Sequence, residues 1–138
     1  MLSPVRPFAT LRIAARQASL PLNTLIDHKD CYLWSSAEAF DIVREVGSEK
    51  VKVVYDIYHQ QVMEGNIILN IVNNLDCIAH LHSAGHPGRH ELQFGENDYR
   101  VIFDAVDKAG YKGAVGLEYK PLLDPTESLV RAKEIYGK

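Results

Sequence analysis

Apolar positions along the 138-residue chain switch between two periods. Short β-branched runs read as strands, and stretches with apolar residues three and four apart read as helices. "SLPLNT", opening at Ser19, is a short apolar run closed by Asn23 and Thr24, which predicts a strand ending in a loop. "SSAEAFDIVREVG" predicts a helix. Ser35 and Glu38 stand at capping-box spacing, Ala39, Ile42, Val43 and Val46 share a face, and Gly47 is placed to end it. "VKVVYD" follows as a strand, "NIILNIVNNL" as a helix and "CIAHLHS" as the next strand. After the loop "AGHPGRHELQFGEN", "DYRVIFDAVDKAG" is a helix closed by Gly110, and "AVGLEYK" is the last strand. "DPTESLVRAKEIYG" is a final helix, with Asp124 as N-cap, Pro125 at the first helical position and Glu127 as the box partner.

Strand and helix thus alternate about four times, at roughly 30 residues per unit, which predicts an α/β fold around a parallel sheet. In such folds chemistry gathers at the carboxyl ends of the strands. The pattern covers 19–138, read as one domain. Residues 1–18 stand apart: Arg6, Arg12 and Arg16 occur there, and no acid precedes Asp27. That segment reads as an irregular or foreign start, with a transit-peptide profile as the alternative.

Composition narrows the class. Hydrophobic residues make up 46% and charged residues 24%, as in an ordinary soluble globular protein. A net charge of −3 with acids and bases interleaved gives no footprint for nucleic acid or an anionic membrane. No apolar run approaches the ~18 residues of a membrane span. Cys31 and Cys77 share no motif, so a reduced, cytoplasmic setting is expected.

Chemistry-bearing residues fall at the predicted strand ends. Asp56 ends "VKVVYD", His80 and His82 end "CIAHLHS", and Glu118 ends "AVGLEYK". Each alone reads equally as a cap, a turn former or an ion-pair partner. Three in register, on successive strands, suit a divalent ion such as Mn²⁺. Residues two apart on a strand share a face, so His80 and His82 point the same way. Arg89 suits bidentate capture of a carboxylate or polyol oxygen. His59, three residues past Asp56, is a candidate substrate contact or proton-transfer partner, or a cap for the following helix. His86 and His90 lie in a Gly/Pro-punctuated loop and stay open, Glu91 is a candidate loop-orienting residue, and His28 is read as surface.

"DIYHQQVMEG", "PGRHE" and "GLEYKP", in this order and spacing, resemble the C-terminal half of hydroxypyruvate isomerase. That family belongs to the xylose-isomerase-like TIM barrels, alongside ketose epimerases and zinc-dependent apurinic endonucleases. The resemblance runs from about Pro21 to Pro121 and weakly through the last helix. It implies about half of a TIM (β/α)8 barrel, since a complete one takes ~250 residues. It also implies one divalent metal ion, Mn²⁺ or Mg²⁺ ahead of Zn²⁺, held by Asp56, His82 and Glu118. Glu118 would double as acid/base, and His59 and Arg89 would hold a small hydroxy-keto acid or sugar. The implied reaction is aldose-ketose interconversion, hydroxypyruvate to tartronate semialdehyde, through an enediolate.

One position departs from the family. Its Glu-Pro-Leu-Asn motif is "LPLN" here, so Leu20 stands where relatives carry the first metal-binding glutamate and second acid/base. The break coincides with the acid-free N-terminal stretch, and the expectation is a truncated or frame-disturbed form of a longer enzyme. Two rivals follow. One is a non-catalytic half-barrel that retains relic site residues. The more distant is a metal-dependent hydrolase or nuclease using the histidine-rich loop for zinc. A half-barrel leaves sheet edges open, and a homo-oligomer would cover them.

Overall fold

The structure, a computed structural model, describes residues 17–137. Four parallel strands form one sheet in chain order: β1 (Gln17–Ser19), β2 (Val51–Asp56), β3 (Ile78–Ser83) and β4 (Val115–Leu117). Helices α1 (Ser36–Val46), α2 (Ile57–Met63), α3 (Ile67–Val72), α4 (Tyr99–Lys108) and α5 (Pro125–Tyr136), with a 3₁₀ turn at Leu75–Cys77, supply the crossovers and the end of the chain. Neighbouring parallel strands joined by helical crossovers are the repeating unit of a (β/α)8 barrel, and half of one is present. Residues 1–16 lie outside the described residues, and with them almost all of the segment read as irregular. Among the described residues no helix is long and apolar enough to cross a membrane.

The core sits between the helices and β2 and β3. Val53, Tyr55, Ile78 and Leu81 pack against Ala39, Phe40 and Val43 of α1 and Ile102, Phe103 and Val106 of α4. Burial of this kind contributes about 25 cal/mol per Å² of apolar surface and outweighs local propensity. Here the structure corrects the predicted face of α1. Its buried stripe is Ser36, Ala39, Phe40 and Val43, while Ile42 and Val46 are 39% and 52% exposed. Both stripes have the same helical spacing. Phe40 chooses between them by stacking on Tyr55, centroids 6.1 Å apart and planes 5° from parallel.

Three more elements differ from expectation. The first strand is Gln17–Ser19, not a run through Asn23. Pro21 has no N–H for a ladder, and Asn23 turns the chain by accepting from the N–H groups of Ile26 and Asp27. The predicted 66–75 helix is preceded by a separate helix, α2, that begins directly at the end of β2. Gly65 (φ 64°) and Asn66 (φ 51°) separate α2 from α3 with left-handed backbone. β4 stops at Leu117, which leaves Glu118 one residue beyond the ladder.

Candidate metal centre and active site

Asp56 is the last residue of β2 and the N-cap of α2. Its Oδ1 accepts from the N–H groups of Tyr58 (2.8 Å) and His59 (3.1 Å), so half of the carboxylate satisfies the helix start. The side chain is 1% exposed, and Oδ2 is a buried oxygen with no hydrogen-bond donor among the described residues. His82 Nδ1 at 3.7 Å, Arg89 Nη2 at 3.8 Å and His59 Nε2 at 3.9 Å stand around it at ion-pair range only, and a carboxylate oxygen without a hydrogen bond has room for a closer cation. Burial pushes the Asp56 carboxyl up, but the neighbouring imidazoles of His82 and His59 outweigh it and hold it below the ordinary carboxylate value.

His82 reaches Asp56 because β3 slips against β2. Val53 pairs with Ile78, yet Val54 pairs with His80, and the shift carries through so that Asp56 faces His82. An unshifted ladder would set Leu81 there. The bulge therefore re-aims the histidine, a common use of bulges beside active sites. His82 Nδ1 lies 3.7 Å from Asp56 Oδ2 and 3.1 Å from Glu118 Oε2. Its pKa is raised by the Asp56 carboxylate beside it, against burial and with help from Glu118. Gly116, the partner of His82 on β4, makes room: a Cβ there would sit 2.9 Å from His80 Nε2 and 3.0 Å from His82 Cδ2.

One ligand atom each from Asp56, His82 and Glu118 lies within 4.8 Å of the others, at the carboxyl ends of three successive strands. Two carboxylate oxygens and an imidazole nitrogen, one oxygen lacking any donor, form a set that can hold a divalent metal ion.

Arg89 stands over the same carboxylates. Its Nη2 is 2.8 Å from Glu118 Oε2 and 3.8 Å from Asp56 Oδ2, and Nη1 is 4.0 Å from Asp27 Oδ2. The guanidinium also lies 4.9 Å above the Tyr58 ring. A cavity of about 550 Å³ opens beside it, bounded by Asp27, Tyr58, Arg89, Glu118 and Lys120. Lys120 is exposed and has no carboxylate partner among the described residues. The Tyr58 hydroxyl is pushed up to about 12 by burial and by its hydrogen bond to Asp27.

His59 is 1% exposed and does not line this cavity. Its Nδ1 accepts from the backbone N–H of Asn23 at 3.1 Å, with the Asn23 amide nitrogen at 2.7 Å. The ring proton is thereby assigned to Nε2, which faces Asp56 Oδ2 at 3.9 Å. Burial lowers the His59 pKa, against the opposing charge of Asp56. His28, exposed as expected, lies against it with ring centroids 5.3 Å apart. His80 meets His82 edge to face at 5.0 Å, on the shared side the strand period predicts. His86 sits beside Tyr58 with Nε2 3.6 Å from Glu96, and His90 bonds the Lys120 carbonyl at 2.8 Å. Asn23, Tyr58 and Lys120 have site positions that the sequence pattern does not predict, Asn23 being expected only to close a strand. Asn23 and Lys120 sit inside the quoted motifs "LPLN" and "EYKP", and Tyr58 inside "DIYHQQ".

A partial parallel α/β barrel with a carboxylate-imidazole-carboxylate set at its strand ends defines the class of protein. Residues 15–134 match the family model described as xylose isomerase-like TIM barrel, and the chain belongs to that family. It is 34% identical over 118 residues to the 2-oxo-tetronate isomerase of Cupriavidus necator, covering 86% of this chain and 45% of that protein. It is 37% identical over 99 residues to the hydroxypyruvate isomerase of Escherichia coli, covering 70% and 38% respectively. The crystal structure of a family 2 AP endonuclease from Brucella melitensis superimposes with a TM-score of 0.78 at 30% identity, over 89% of this chain and 47% of that one. The chain thus spans less than half the length of these relatives.

Proposed function

We propose that this chain carries the metal- and substrate-binding half of an isomerase for small 2-oxo acids, acting on hydroxypyruvate and tartronate semialdehyde through an enediolate. The observation that carries the reading is the convergence of Asp56, His82 and Glu118 within 4.8 Å, beside a cavity edged by cations. The isomerase names of the matched relatives support it.

A bound divalent ion supplies positive charge to the neighbouring carbonyl and hydroxyl oxygens of the substrate as enediolate charge develops. Two carboxylate oxygens outnumber the single imidazole nitrogen in the donor set, which favours Mn²⁺ or Mg²⁺ over Zn²⁺. Arg89 Nη1 and Lys120 hold the substrate carboxylate. Glu118 removes a proton from C3 and the same proton count is restored at C2, while the hydroxyl proton passes between the adjacent oxygens. His59 acts on Asp56, holding it through Nε2 from behind. Leu20 offers no second acid/base, so the rate is expected to fall short of a two-carboxylate site by ~10²–10⁴.

The test is deuterium incorporation at C3 of hydroxypyruvate in D₂O with Mn²⁺, followed by proton NMR. Metal-dependent exchange that disappears in Glu118→Gln is the expected result. Absence of exchange, together with nicking of duplex DNA bearing an abasic site, would replace the isomerase with the endonuclease reading.

A further inference from the structure

We propose that the run Arg89, His90 and Glu91 is a clamp that positions Glu118, with the buried carboxylate of Glu91 as its anchor. This rests on the metal reading above and adds the means by which the most exposed ligand is held in place.

Three consecutive side chains grip the backbone that follows β4. Arg89 Nε donates to the Glu118 carbonyl at 3.2 Å. His90 Nδ1 donates to the Lys120 carbonyl at 2.8 Å. Glu91 accepts from the Leu122 N–H at 3.0 and 3.1 Å and from the Leu123 N–H at 2.9 Å. The backbone adds a fourth tie, Lys120 N–H to the Arg89 carbonyl at 2.8 Å.

Glu118 needs this help. It lies past the end of a three-residue strand at the edge of the sheet, and its side chain is 48% exposed. The neighbouring strand gives it one backbone bond, from its N–H to the Ser83 carbonyl at 3.1 Å. A metal ligand has to be held within about 0.5 Å of its working position.

Glu91 is an unusual choice for filling space. It is 0% exposed and pairs with no cation among the described residues. A buried carboxylate is costly unless its oxygens are hydrogen-bonded, and an apolar residue fills space without that cost. What the carboxylate does here is hold two backbone amides next to Leu122, which is 64% exposed. The gripping loop is itself set by an antiparallel bridge, Gly85 N–H to the His90 carbonyl at 2.8 Å, and by left-handed backbone at Arg89 (φ 56°).

The experiment measures two quantities on the full chain: Mn²⁺ affinity, from the free-ion EPR signal, and hydrogen-deuterium exchange of the metal-free 115–124 peptide. Glu91→Gln and the milder His90→Phe are compared with wild type and with Val106→Ala, a core variant on α4. Altering groups that orient a metal ligand costs ~10–100-fold in affinity, so Glu91→Gln is expected to lose at least about ten-fold and His90→Phe less, both with faster exchange in 115–124. Val106→Ala should lower Tm and leave Mn²⁺ affinity unchanged. Unchanged affinity in both clamp variants overturns the proposal, and if Glu91→Gln does not fold, His90→Phe decides alone. Wild-type protein that binds no Mn²⁺ overturns the metal reading. Faster exchange in the variants would then show a loop tie without a ligand to position, which also refutes the positioning role.

Discussion

Asp56 and His82 face each other across the β2–β3 ladder, with Oδ2 of the first 3.7 Å from Nδ1 of the second. The other oxygen of Asp56 caps α2. One side chain therefore starts a helix and offers a ligand, and substitutions can separate the two roles.

Asp56→Asn keeps an N-capping oxygen and removes the charge, whereas Asp56→Ala also removes the cap, worth about 1 kcal/mol. In thermal unfolding, wild type is expected to shift upward with Mn²⁺, by an amount equal to about 2.7 kcal/mol at 100 times Kd. Asp56→Asn should unfold cooperatively without that shift. A Mn²⁺ shift that survives in Asp56→Asn would remove Asp56 from the ligand set.

Gly116 gives a second handle on the same centre. The Cβ of Gly116→Ala would press on His80 and His82 at 2.9 and 3.0 Å, tighter than ordinary van der Waals contact. His80 must shift and His82 must give by a few tenths of an ångström, and Mn²⁺ affinity is expected to fall by about ten-fold, as for other changes that misorient a ligand. Titration of Mn²⁺ by EPR reads this directly.

Glu91 also sets a pH dependence. Burial opposes its ionisation, but the backbone amides of Leu123 and Leu122 outweigh it and lower its pKa in the folded protein. Folding then releases a proton that the unfolded chain would hold. The stabilisation is complete above the ordinary glutamate value, about 4.3, and is lost as pH falls through the lowered folded value. Acid titration of Tm should show a shallower fall below that pH in Glu91→Gln than in wild type.

Lys120 is expected to discriminate acids from neutral ketones. Lys120→Met should weaken hydroxypyruvate binding by about ten-fold, the value of one charge-assisted hydrogen bond of ~1.4 kcal/mol. Binding of dihydroxyacetone, which has no carboxylate, should not change. Calorimetric titration of both, with Mn²⁺ present, distinguishes this from a general loss of the pocket.

Alternating periods, caps and glycines determined the α/β class, most helices and the strand-end addresses of Asp56, His82 and Glu118. These features are local, and the chain announces them within a few residues. The inward face of α1 was not local: two stripes share the helical period, and only Tyr55 on a different strand selects Phe40. Helix α2 was hidden because Asp56 ends a strand and caps a helix in one residue. The pairing of Asp56 with His82 depended on the slip between Val53 and Val54, and a one-residue change of register would have placed Leu81 there. The histidines of "HLHSAGHPGRHE" could not be sorted by type, because their partners lie on elements far away in sequence. His82 faces a carboxylate pair, while His90 holds a loop beyond β4. The sequence by itself determined which chemistry stands at the strand ends; packing and register, being sums over distant neighbours, decided which of those groups meet.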